Sequence, residues 1–173
     1  MKLKREALIH YLNAEFNTAG ENPDWAIIGK DIDDMSVSLN PDIEKKKNIL
    51  GENSVADNGY EPELGADPYY ADPEDKLYQP IRSIALERKK GDECKTQMLE
   101  VIIEDPSAES HLAFVEDVIV KPQSYGGGTE GVNIPFNVTN VGNRTKGTVK
   151  IVNKIPTFTA DATAAAEAEA GEG

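Results

Sequence analysis

The chain has one cysteine, Cys94, two histidines and a single tryptophan among 173 residues, and aromatics make up only 6% of it. One cysteine excludes an internal disulfide and suits a reducing compartment. We expect Cys94 to pack as a small, half-buried hydrophobe rather than to act as a nucleophile. No apolar run reaches the roughly 18 residues of a membrane-spanning helix, so no span is expected. The N-terminus, "MKLKREALIHYLNAEF", is basic but has no long apolar stretch and no small-residue cleavage site, and no signal peptide is expected there. Basic residues are also short: 18 Lys and Arg stand against 31 Asp and Glu, a formal net charge of −13. Such a surface repels nucleic acid, which argues against specific DNA or RNA binding.

The chain is long enough for one domain with a real core. Its last fourteen residues, "ADATAAAEAEAGEG", are low in complexity and have nothing to pack. We therefore expect a folded part over 1–159 and a disordered acidic tail over 160–173.

Within the folded part the dominant signal has period two. In Thr96–Asp105, Leu99, Val101 and Ile103 share a face, opposite Met98, Glu100, Ile102 and Glu104. In His111–Val120, Leu112, Phe114, Glu116, Val118 and Val120 alternate with Ala113, Val115, Asp117 and Ile119. The turn-rich "DPSAES" between them predicts an antiparallel pair. "VNIPFNVTN" and "KGTVKIVNK" read as two more strands, with "VGNR" as a tight turn between them. "WAIIGK" and "DMSVSL" are further strand candidates. One helix is expected over about 73–90. Asp72 would cap it, Pro73 would open it, Leu77, Ile81, Ile84 and Ala85 would form its apolar face, and Gly91 would stop it. Pro80 would interrupt that helix. The fold class is mainly β, an antiparallel sandwich or barrel with one flanking helix.

Catalytic and metal motifs are scarce. His111 opens a strand after a turn and reads as solvated. "DIDD" (Asp31–Asp34) lacks the glycine and distant glutamate of an EF-hand loop. "YGGGTEG" (Tyr125–Gly131) lacks the Lys and Ser/Thr of a phosphate loop, so its glycines serve a turn. Asn137 and Asn143 match the glycosylation pattern without a secretory context. We expect no enzymatic activity and no cofactor.

The most unusual stretch is "DIEKKKNILGENS" (Asp42–Ser54), too polar for a core and placed just after a strand candidate. It is either a slack loop or a surface kept for another molecule. Its lysine triplet precedes a region, Asn48–Asp75, with eight acids and no Lys or Arg. Separated blocks of opposite charge can bring identical copies together head to tail, or can simply be solvated.

Three segments in order, "LNPDIEKKKNILGENS", "GYEPELGADPYYADPEDKLY" and "SYGGGTEGVNIPFNVTNVGNRTKGTV", resemble the major tail (tail tube) protein of long-tailed phages and prophages of Gram-positive bacteria. The resemblance covers about Trp25 to Phe158. It implies a small β-sandwich or barrel, hexameric rings of identical subunits, and rings stacked into a hollow tube that conducts double-stranded DNA without binding it specifically. It implies tail terminator, distal tail and tape-measure proteins as further partners, and a place in the virion after assembly in the host cytoplasm. The long inter-ring loop would be Asn40, Pro41, Asp42, Lys45, Lys46, Lys47, Asn48, Ile49, Leu50 and Glu52. Candidates for the bore wall, from strand alternation, are Glu100, Glu104, Glu116, Asp117, Asn137 and Thr139. Adjacent residues such as Glu116 and Asp117 must point opposite ways, so both cannot line it. Other readings are the inner tube of a contractile tail or tailocin-like particle, which would share the fold, and a monomeric β-sandwich binding module.

Overall fold

A computed structural model describes residues 1–161. Ten strands and one α-helix occupy them: β1 Leu8–Asn13, β2 Trp25–Ile28, β3 Val37–Ser38, β4 Pro41–Lys47, β5 Asn53–Tyr60, β6 Glu63–Ala66, α1 Tyr78–Glu87, β7 Lys95–Ile102, β8 His111–Pro122, β9 Phe136–Val152 and β10 Ile155–Ala160. The main sheet is antiparallel, ordered β2-β1-β7-β8-β9-β6-β3, with β10 also paired to β9. Strands β4 and β5 form a separate two-stranded sheet. The mainly β class expected from periodicity is what the chain adopts, as a curled half-barrel with one helix among the described residues.

The sheet packs on both faces, at different ends. Even-numbered positions of β7 and β8 (Met98, Val118, Val120) join Leu12, Ile28, Leu64, Phe136 and Val138 in a large cluster closed by Leu77 and Ile81 of the helix region. Residues from β2 and from β6 meet there, so the sheet curls around this cluster. Odd-numbered positions (Leu99, Val101, Ala113) join Tyr11 and Val149 on the opposite face, with Trp25, Ile151 and Phe158 packed at the margin. Period-two alternation with apolar residues on both faces is thus the mark of a sheet buried twice.

Strand β9 links the two cores. It pairs with β8 on one side, and on the other with β6 at Phe136–Thr139 and with β10 at Gly147–Val152. The tight turn expected at "VGNR" is instead a bulge inside this one strand. The β8 register shifts on both sides of Asp117, and Gly142 and Asn143 take φ of 129° and 57°. Glycine and asparagine permit the positive φ that a bulge needs as readily as a turn does. The real hairpin turn comes later, at Asn153 and Lys154, both at positive φ (51° and 65°), which matches the strand twist.

The helix starts at Tyr78, five residues later than expected. Asp72 caps a turn rather than the helix: its carboxylate accepts the Glu74 N–H, and Asp75 accepts that of Leu77. Pro80 therefore falls at the third helical residue, where the N–H has no intrahelical partner to lose. Arg88 ends the helix in the left-handed region, φ 52°, with the Lys89 N–H donating to Ile84 O. Ile81 is fully buried on its inner face, worth about 1.5–3 kcal/mol. Cys94 is fully buried too, more so than expected, with its thiol 3.3 Å from Lys89 O. Ala160 ends β10 and the Asp161 N–H donates to Lys146 O. The rest of the expected acidic tail, 162–173, lies outside the described residues.

Candidate assembly interface

The stretch "DIEKKKNILGENS" is an ordered hairpin rather than a loop. Strands β4 and β5 pair from Pro41↔Tyr60 to Lys47↔Asn53. Asn40, at φ 44°, bends the chain out of β3, and its side-chain amide donates to Glu61 O. At the tip Asn48 acts as a local staple. Its Oδ1 accepts the N–H groups of Leu50 and Glu52, at 2.9 and 3.0 Å, and its Nδ2 donates to the Glu52 carboxylate at 2.6 Å. Gly51 takes φ 83° to close the turn.

This tip holds two large aliphatic side chains in water, Ile49 at 102% and Leu50 at 77% exposure. Every residue of β4 is exposed, and all of β5 except Gly59. On one face of the hairpin Ile43, Lys45 and Lys47 lie opposite Asp57, Val55 and Asn53. Lys46 approaches Glu44, at 3.6 Å, while Lys45 and Lys47 have no ion-pair partner among the described residues. All ten residues expected in the inter-ring segment fall on this hairpin or its bend.

The six wall candidates do not share a surface. Glu100 and Glu116 lie on the even-numbered face, Asp117 on the odd-numbered one, and Glu104 beyond the end of β7. Asn137 and Thr139 pair with Lys121 and Ile119 and so join Asp117's face. Glu100 and Glu116 are committed internally. The Arg144 guanidinium, 4.4 Å above the Phe114 ring, donates to Glu100 at 2.8 Å and to Glu116 at 3.4 Å. Nε2 of buried His10 lies 3.3 Å from the other Glu100 oxygen. Burial pushes the Glu100 carboxyl up, but the His10 and Arg144 hydrogen bonds outweigh it and hold its pKa at about 2. Glu100 is then an acceptor only, which puts the His10 proton on Nε2. Sequence spacing offers no sign of this cluster, because it joins β1, β7, β8 and β9; the register at Val115↔Thr145 sets Arg144 beside Glu116 just before the bulge.

No protein family and no curated protein matches the chain by sequence. Among solved structures, it is similar to the sheath/tube terminator of an extracellular contractile injection system, PVC, in its extended state. The TM-score is 0.50 at 10% identity, over 84% of this chain and 96% of that one. It also matches the tube-terminating cap of the anti-feeding prophage, with TM-score 0.47 and 12% identity over 93% of each chain. The likeness is one of fold.

Among the described residues the sheet ends at β2 and at the two-residue β3, and β10 adds another free edge. Ile27 of β2 is 59% exposed, and Ile155, Thr157 and Thr159 of β10 face solvent. Pro156 removes one donor from β10 and blunts it as a template for another strand. Among the described residues no group of three His, Cys, Asp or Glu could hold a metal ion, and no helix is long and apolar enough to cross a membrane.

Proposed function

We propose that the protein is a structural, non-catalytic subunit of a phage-type tail tube, forming hexameric rings that stack through the β4–β5 hairpin. One observation carries this reading: a stapled, fully exposed hairpin presents Ile49 and Leu50 to solvent. A two-stranded hairpin is marginal in water by itself, and exposed aliphatic groups on an ordered arm are of use only when another surface covers them. The likeness of fold to a tube terminator supports the same setting. In this reading the tube sits in the virion, capped by terminator and distal tail proteins and filled by a tape measure, and lets double-stranded DNA pass. Asp117, Asn137 and Thr139 are then the better wall candidates, because Glu100 and Glu116 are neutralised by Arg144, whereas Asp117 meets only the neutral amides of Asn143 and Gln97. Their neighbour Lys121 shares that face and keeps its positive charge, its ammonium donating to Lys89 O.

The test is electron microscopy and sedimentation of the purified protein at high concentration. Tubes or stacked rings are expected, and Lys45→Glu, Lys46→Glu and Lys47→Glu together should leave a folded subunit that does not stack. Normal tubes from that variant would refute the role given to the hairpin. A second reading, favoured by the terminator's fold, is a subunit of a closing ring. It predicts rings that never lengthen at any concentration.

A further inference from the structure

The hairpin tip has no use within its own chain. Neither has a groove of about 1070 Å³ at the β2 edge. Its apolar walls are Ile9, Trp25, Ile27, Tyr70, Ile103 and Ile151, from three strands (β1, β2 and β9) and two connecting segments that converge on the second core cluster. Charge at its rim is mostly settled in pairs. Lys76 meets Asp24 at 2.7 Å and Lys30 meets Asp72 at 3.8 Å. The rim acids Asp31 and Glu74 have no ion-pair partner among the described residues, nor have Asp33 and Asp34 just beyond. Among the described residues, Lys154 is the rim lysine without an ion pair that stands against these acids. The free charge is therefore negative, around an apolar floor.

We propose that this groove receives the hairpin tip of a second copy of the chain. The two surfaces match in kind: Ile49 and Leu50 suit walls of tryptophan and isoleucine, and the unpaired Lys45 and Lys47 suit the unpaired acids. The hairpin leaves the sheet at β3 and β6, while the groove lies at β2, the opposite end of the strand order. Donor and acceptor surfaces are thus different patches of one subunit. When such a contact is not exchanged reciprocally between two copies, it propagates into rings or stacks. The proposal rests on the self-assembly reading above and adds to it where the arm docks.

Charge exchange tests it. One variant carries Lys45→Glu and Lys47→Glu; the other carries Asp33→Lys and Glu74→Lys, both at exposed positions. Each should fold, by circular dichroism, and each alone should associate at least tenfold more weakly than the natural chain in sedimentation velocity. An equimolar mixture should recover assembly, because each altered arm then finds a complementary groove. Natural-strength assembly of the Asp33/Glu74 variant, or no recovery on mixing, overturns the docking site while leaving self-assembly intact. A natural chain that stays monomeric at every concentration overturns both. Ile27→Ser and Leu50→Ser provide a check free of charge: each should weaken association, and the pair together no more than the stronger one. Fully additive losses would again place the tip elsewhere.

Discussion

The β7–β8 pair and the β4–β5 hairpin are built from the same antiparallel ladder and differ in what surrounds it. Met98, Leu99, Val101, Ala113 and Val118 are almost wholly buried, on both faces of the first. The second buries no residue at all. One region stores the folding stability of the subunit; the other adds ordered surface and contributes almost nothing to the core. On the proposed reading, the free energy of that arm is realised in contact with another copy of the chain.

The comparison breaks most severely in the shared core. Phe136→Ala, at a fully buried position, should cost about 3–5 kcal/mol in denaturant unfolding. A cost near zero would mean that β9 is not the spine of both clusters. Gly147→Ala should cost about 1–3 kcal/mol, because a Cβ there would run into Thr159 O and lie 2.7 Å from the Phe158 ring, pushing β10 off β9. Calorimetry would show it as a lowered Tm.

Acid sharpens the comparison further. Glu100 has its pKa lowered from the usual 4.5 to about 2. Its contribution to stability is therefore complete above about 4.5 and is lost as pH falls toward 2. Glu100→Gln should flatten that part of the stability–pH curve, and an unchanged curve would mean the Arg144 cluster is not formed. The smallest effect belongs to the arm: Ile49→Ser with Leu50→Ser should change unfolding stability by no more than about 0.5 kcal/mol. A loss of several kcal/mol would mean that the hairpin packs on its own subunit.

What could be read from sequence follows the same division. Alternation of apolar residues revealed β7 and β8, because both faces of those strands are buried. It gave no warning of β4 and β5, whose order comes from backbone pairing and the Asn48 staple, and whose apolar residues follow no period. Strand β1, between β2 and β7, carries no such mark: its sequence LIHYLN shows no alternation and its burial no period of two. At 141–144 glycine and asparagine marked positive φ correctly but did not distinguish a bulge from a turn. The Glu100–Arg144 pairing spans 44 residues, so no local pattern carries it.

The base of the arm has a mechanical meaning. Ser38 and Glu63 pair at the end of the short β3–β6 ladder, the Glu61 N–H is held by Leu39 O, and β6 is held in turn by four residues of β9. A pull on the arm reaches the sheet through β3 and β6 together, so the load falls on the pairing of β6 with β9 and not on the bonds between β3 and β6. The arm is thereby anchored to β9, the strand shared by both core clusters, and not to its own short base.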